Sequence, residues 1–420
     1  MKKRIISSYN KLKETNIIGN FFNLSGIQLS NILLLLLTIP IVTRKIGLFE
    51  FGLVGFANRY SLLAGSVINY GTGQSGVKDI ALNLHDIPKL SAAFYNTLYI
   101  RVMIFLLFLV LVFSLQWFNI EYYYYILLAI PIVLAEVFNP LCFFIGAEKL
   151  RVFNIYNLVF NVVAILAIIL FIKSPADAAW VNFILGMCNV ITYVCLLVYF
   201  LSAYKLPFYR PVSGELLKIA KDNFYLTINN ISVNLQQSII IFALPKWGYS
   251  ILLGPYTLCD KIIGQCRNLL ITISNALYPN AVRVYKQNAA FWDIYRQKTK
   301  YAVAGIFFAG SVLLFTMADF IVFILSKEHN ETAVIFLKIM AFVPAISALN
   351  VLNVLDQLLK NNNVYIFRIA VILFIIAILT AFILLNAGNP LFIGAFTLIV
   401  ETSAWLMYEY IVKKTTVKNA

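Results

Sequence analysis

Asp260, Lys261 and Arg267 fall close together in the stretch TLCDKIIGQCRNLLIT, residues 257–272, whose other residues are those of a helix in an apolar medium. An acid beside two bases can form a structural ion pair, hold an anion or pass a proton. Arg59 in GFANRYSLL, residues 55–63, raises the same question, as do Arg101, Glu136 and Glu401 in other apolar runs. A charge at mid-bilayer costs roughly 2.5 to 3.5 kcal/mol even on a lenient scale, so such groups normally face a bundle interior or an aqueous cavity. Arg59, Arg101 and Lys261 each lie about 12 to 14 Å into their helices, too deep for cheap snorkelling. Lys338 and Arg368 lie nearer helix ends and can snorkel.

Pairing within the protein is one account of these charges: Asp260 with Arg267 two turns on, or Glu136 or Glu401 with a base on another helix. Against it, the deep bases Arg59, Arg101, Lys261 and Arg267 outnumber the deep acids Glu136, Asp260 and Glu401. Amides accompany them: Asn31 on the first helix, Asn58 and Asn69 on the second, Asn234 on the seventh, Gln265 and Asn268 on the eighth. Spacings of three, four and seven put most of each set on one helix face. Amides can bond neighbouring helices in lipid. A stripe on both related helix pairs favours a water-filled cavity, with Asp260, Glu136 and Glu401 as coupling or charge-balancing carboxylates.

The elements that carry these groups follow from composition. Of 420 residues, 61% are hydrophobic and 12% charged, far outside globular usage, and mean hydropathy is +0.84. This is the composition of an all-α integral membrane protein. A ruler of about 20 apolar residues per span gives about twelve helices, centred near residues 31, 60, 105, 134, 162, 190, 230, 265, 313, 345, 375 and 402. The longest connectors, around 72–91, 202–218 and 280–299, are too short for a soluble catalytic domain, and the outside loops are too short for a membrane polymerase or ligase.

The formal charge of +15 does not indicate a nucleic-acid partner, because the bases are spread over short loops with no interleaved stacking aromatics. The basic head, residues 1–16, precedes a long apolar run without a small-residue cleavage site and is read as the start of an uncleaved first span. With a cytoplasmic N-terminus, about 22 Lys and Arg fall in inside segments and about 5 in outside loops, so both termini are expected in the cytoplasm. The run EYYYY at 121–125, with Trp117, Trp180 and Trp247, reads as an interfacial belt at outside helix ends. Five cysteines without a C-x-x-C read as packing residues. GTGQSG at 71–76 ends a membrane helix and follows no strand, so it is no dinucleotide site. Neither His85 nor His329 has a metal-ligand partner at fixed spacing, and no cofactor is expected.

The chain repeats itself. GNFFNLSGIQLSNI at 19–32 resembles DNFYLTINNISVNL at 222–235, FGLVGFANRYSLL at 51–63 lines up with LGPYTLCDKIIGQ at 253–265, and AAFYNTLYIR at 92–101 parallels AAFWDIYRQK at 289–298. A weaker pair, GAEKLRVFNIYN with KNNNVYIFRIAV, lies at an offset near 214. Their common order and near-constant offset predict two homologous six-helix halves, residues 1–205 and 206–420. An even number per half makes the repeat parallel about an axis along the membrane normal, with cargo at the interface between halves. Gly52 then matches Gly254, and Arg59 matches Lys261.

These residues resemble the Wzx-type O-antigen and polysaccharide-repeat flippases of the multidrug/oligosaccharidyl-lipid/polysaccharide exporter superfamily. NFFNLSGIQLSNILLLLLTIPIVTRKIGLFEFGLVGF is similar to that family's opening signature, GAEKL at 146–150 to its loop after helix four, and GPYTLCDKI followed by ALYP at 276–279 to its eighth-helix signature. Ile145 and Lys78 depart from its usual residues. The resemblance covers the whole chain. It implies a MATE-like fold of two pseudo-twofold-related lobes that moves an undecaprenyl-diphosphate-linked oligosaccharide across a bacterial inner membrane by alternating access, with proton or ion coupling. A polysaccharide polymerase and a chain-length regulator are the partners it implies. Joined to the charge pattern, it makes Arg59 and Lys261 the expected headgroup clamp across a central cavity, with Arg101 and Arg267 adding positive field. A cation-drug antiporter of the same fold is the alternative and would need an acidic cavity.

Overall fold

The structure, a computed structural model, describes residues 17–118, 122–287, 289–360 and 362–418. The side chains of residues 17–36 lie outside that description, so the expectations for Asn31 and for the basic head cannot be placed. Among the described residues there is no strand.

The first helix, α1 (Ile17–Asn69), has two arms that meet at Gly47. Its φ of 82° and ψ of 164° belong to a region that only glycine enters without strain, so the chain turns there and recrosses the membrane. A short helix α2 (Thr72–Asn83) follows, then α3 (Ile87–Ser114), the interrupted helix α4 (Tyr123–Gly146), α5 (Leu150–Phe171) and α6 (Trp180–Tyr204). After an extended link come α7 (Ser213–Lys246), α8 (Leu253–Gln287), α9 (Ala289–Thr316), the short α10 (Ala318–Ser326), the interrupted α11 (Glu331–Leu359), α12 (Asn363–Leu385) and α13 (Phe396–Lys418). Counting both arms of α1, the described residues form twelve long helical passes.

The interruptions have a cause in the sequence. Proline lacks a backbone N–H, fits best in a helix's first turn and kinks or breaks a helix when it lies farther in. Pro131 accordingly sits in the first turn of Ile130–Phe138 within α4, and Pro344 in the first turn of Val343–Leu359 within α11. Those prolines are 213 residues apart, close to the offset of the weakest repeat in the sequence. The repeat therefore extends to a backbone irregularity.

Among the described residues, eight of the helices are long and apolar enough to span a membrane by composition alone. Helices α7 and α8 are not among them, because they carry amides and charges that the fold turns inward. The second arm of α1 crosses α8 at their matched glycines. A Cβ on Gly52 would collide with the backbone of Gly254, and one on Gly254 would collide with the carbonyl of Leu48. Gly55 packs equally closely on Thr257. Around this crossing lies the main apolar core, in which Ile39, Val42, Phe51 and Val54 of α1 meet Ile241 and Leu244 of α7 and Tyr256 and Leu258 of α8.

Two expectations about connectors are corrected. Residues 72–91 contain the helix α2. The segment 280–299 is mostly helical: α8 runs to Gln287 and α9 begins at Ala289, so the ninth helix is centred well before residue 313. Hydropathy missed it because its polar residues are buried in a network. Trp292 Nε1 donates to Asp356 Oδ1 at 2.7 Å, Arg296 faces Asp293 at 3.3 Å, and Lys300 pairs with Glu409 at 2.5 Å. Asp356 itself is fully buried and accepts from Lys360 at 2.8 Å. Charges satisfied by helices α9, α11 and α13 are tolerable in the interior where unpaired ones would not be.

Candidate functional site

One turn past the glycine crossing, the second arm of α1 and helix α8 diverge and a cavity of about 620 Å³ opens between them. Asn58 and Arg59 line it from α1, Asn234 from α7, and Asp260, Lys261, Gln265, Arg267 and Asn268 from α8. The fold thus brings together eight of the residues singled out by sequence. They converge because both helices place residues three, four and seven apart on the face that the crossing turns inward.

Their charges are not equivalent. Arg59 forms an ion pair with Asp260, a contact from one half of the repeat to the other. Arg267 pairs with Glu401 of α13 at 2.9 Å. Pairing of a deep base with Glu401 agrees with one of the two structural pairings expected, while Asp260 pairs across the repeat with Arg59 instead of along its own helix with Arg267. Lys261 forms no ion pair among the described residues; its ammonium lies 4.9 Å from the ring centroid of Phe51, a cation–π contact. The cavity wall holds three cations, Arg59, Lys261 and Arg267, to one carboxylate, Asp260.

Two smaller compartments adjoin it. One of about 330 Å³ shares Leu62 and Asn234 with the central cavity and contains Asn69 and Glu136. There Glu136 accepts from Asn139 Nδ2 at 3.0 Å. The other, of about 260 Å³, shares Gln237, Asp260 and Arg267 and reaches Glu401. Arg101 stands apart. It is 1% exposed, and its guanidinium donates to Thr72 Oγ1 at 2.9 Å and to the Asn139 carbonyl at 2.7 Å. These bonds tie α3 to the start of α2 and to the break in α4, and the side chain is absent from the cavity wall. Its depth resembled that of Arg59, but its acceptors are neutral groups invisible to a count of carboxylates.

The cavity also has polar residues that the sequence did not flag: Asn161 of α5, Asn182 of α6 and Thr257 of α8. Asn161 ends a run of Asn154, Asn157 and Asn161 at spacings of three and four on α5, a readable stripe, whereas Asn182 shares its otherwise apolar helix with Asn189.

The profile of the family described as "Polysaccharide biosynthesis protein" matches residues 17–285, more than half of the chain. The chain belongs to that family. The matched region includes both arms of α1 and nearly all of α8, hence the whole charged crossing. Another relative is the "Putative O-antigen transporter" of Escherichia coli (strain K12), 22% identical over 346 residues, covering 82% of this chain and 83% of that protein. Among solved structures, an inward-facing multidrug-resistance MATE transporter of the MOP superfamily aligns with a TM-score of 0.73 at 12% identity, covering 91% of this chain and 94% of that one. A MOP superfamily transporter from Pyrococcus furiosus, described by the reverse polarity of its binding pocket, aligns with a TM-score of 0.61 at 13% identity, covering 96% of each. The chain therefore has a MATE-like fold, and the resemblance to Wzx-type flippases is supported over most of its length.

Proposed function

We propose that this polysaccharide biosynthesis protein is a flippase, not an enzyme, that carries an undecaprenyl-diphosphate-linked oligosaccharide across a bacterial inner membrane by alternating access of its two halves, residues 1–205 and 206–420. The observation that carries this reading is Lys261: a cation in a membrane cavity with no carboxylate partner among the described residues, beside two paired bases and a lining rich in amides. A diphosphate is the chemical complement of that arrangement, since its oxygens only accept and charge-assisted bonds are the strong ones. The threefold excess of basic over acidic side chains on the wall disfavours organic cations.

Arg59 is held by Asp260 until an anion competes for it, so headgroup binding would exchange one counter-ion of Arg59 for another. Arg267 with Glu401 sets the field on the far side. Arg101 acts as a brace for its half and not as a ligand. Glu136, in the adjoining compartment without an ion-pair partner among the described residues, is the carboxylate best placed to exchange a proton during the cycle. Both termini face the cytoplasm, as the basic loops require, which puts the closed glycine crossing at the outer face and the cavity on the cytoplasmic side of it. A polysaccharide polymerase and chain-length regulator would receive the product.

The test is loss of surface polysaccharide in cells expressing Lys261→Gln with normal membrane insertion, together with loss of lipid-linked oligosaccharide transfer in vesicles. Normal glycan from a Lys261→Gln, Arg59→Gln double variant would overturn the headgroup role of this cavity.

A further inference from the structure

At the closed end of the cavity, beside the crossing of Gly52 and Gly254, two polar side chains are buried without the partners they need. Asn182 is 1% exposed; its Nδ2 donates to the Val54 carbonyl at 2.8 Å, and its Oδ1 has no hydrogen-bond partner among the described residues. Thr257 is 2% exposed, and its Oγ1 likewise has none. Both residues line the cavity, and both pack at the level of Val54 and Gly55, one from each half of the repeat. An unsatisfied buried polar atom is rare in folded proteins and costly, so two of them meeting at one end of a cavity call for an occupant.

The bond to Val54 fixes the polarity of this end. Only the NH₂ of an amide can donate to a carbonyl, so the Asn182 oxygen is the atom left over. That oxygen can only accept. A phosphate oxygen, also an acceptor, is rejected there, whereas a hydroxyl or an acetamido N–H is bound. The guanidinium groups belong to residues farther in: Arg59 is five residues beyond Val54, about 7.5 Å along the helix, and Arg267 lies ten beyond Thr257; Lys261, one turn beyond Thr257, reaches back with its ammonium to the Phe51 ring near this end.

We propose that Asn182 and Thr257 form a glycan subsite that binds sugar hydroxyl or acetamido groups, and that cargo enters with its sugars toward the glycine crossing and its diphosphate on Arg59 and Lys261. This subsite rests on the headgroup role of the cavity and adds the orientation of the cargo within it. A reversed cargo would set phosphate against the Asn182 oxygen, which can only accept.

Thr257→Val gives a test with opposite signs. The variant is nearly isosteric and removes a hydroxyl that has no internal bond, so the purified protein should melt at a higher temperature than wild type. The full chain in nanodiscs would be titrated with undecaprenyl diphosphate, either bare or carrying the oligosaccharide extracted from the source cells. Affinity for the glycan-bearing lipid should fall about fivefold in Thr257→Val and again in Asn182→Leu, while affinity for the bare lipid holds. Lys261→Gln should weaken both lipids. If Thr257→Val and Asn182→Leu leave the ratio of the two affinities unchanged, the subsite is overturned while the headgroup reading stands. If wild-type protein binds neither lipid, both fall together.

Discussion

The two halves of the repeat present the same position in different states. Arg59 and Lys261 occupy matched sites on matched helices, yet Arg59 is neutralised by Asp260 and Lys261 has no ion pair among the described residues. The reason lies one residue earlier. Position 58 is Asn in the first half, and its counterpart, Asp260, is an acid in the second, so the second half supplies both a free cation and the counter-ion for the first. The matched positions carry two cations, and the acid at position 260 makes the site asymmetric, with one base available at once and one released by exchange.

That contrast is broken most severely at Asp260. Asp260→Asn leaves the Arg59 guanidinium, 16% exposed, without its ion partner. Removing one member of a buried pair costs about 3 to 5 kcal/mol, which should appear as a large fall in thermal stability in detergent. Arg59→Gln combined with Asp260→Asn should recover most of it, because two neutral amides remain where two charges were. A double variant no more stable than Asp260→Asn would show that Arg59 and Asp260 do not act as a pair.

The matched glycines rank next. Gly254→Ala drives a methyl group into the Leu48 carbonyl and Gly52→Ala drives one into Gly254, and overpacking of this kind costs about 1 to 3 kcal/mol. The strain falls only on the closed crossing, so both variants should shift the protein toward the state in which the halves part at this end. Cysteine-accessibility labelling at Thr257→Cys measures that shift; labelling no faster in the alanine backgrounds would mean that the crossing does not separate.

Much of the fold and most of the site were legible because they rest on patterns with a physical origin. Apolar length gave the passes, and the repeat offset paired Gly52 with Gly254 before any geometry was known. Amide and charge spacing on helices α7 and α8 marked the faces that line the cavity. Illegible were features whose meaning is a contact. Arg101 and Arg59 are similar in depth and type, but one ends on neutral acceptors and the other on a carboxylate from the opposite half. The start of α9 read as a loop because Arg296, Lys300 and Trp292 bury their polar atoms against α11 and α13, and hydropathy has no knowledge of partners. Asn182 was an amide in a largely apolar helix and Thr257 a hydroxyl beside a charged run, significant only once the atoms left unbonded could be named.

The smallest expected effect comes from comparing the two turns that join matched helices. Gly47 and Gly248 both have positive φ, 82° and 77°, so the turns share a backbone device. Their neighbours differ. Thr43 donates to the Leu325 carbonyl and Arg44 to the Ile324 carbonyl at 3.1 Å, both at the C-terminal end of α10 in the second half. Lys45 reaches the carbonyls of Ile169 and Ile172 at the end of α5 in the first half, at 2.5 and 2.7 Å. Cations at helix C-termini satisfy leftover carbonyls and complement the dipole. The TRK turn therefore ties both halves together beside the closed crossing, whereas Lys246, next to Gly248, is exposed. Arg44→Gln should weaken the closed state and raise the labelling rate at Thr257→Cys by less than about fivefold, since exposed charges contribute about 1 kcal/mol at most. Lys246→Gln should leave that rate unchanged, because it breaks no tie between the halves. Equal effects from the two variants would show that net charge at this face, and not the reach of Arg44 to Ile324, holds the end shut.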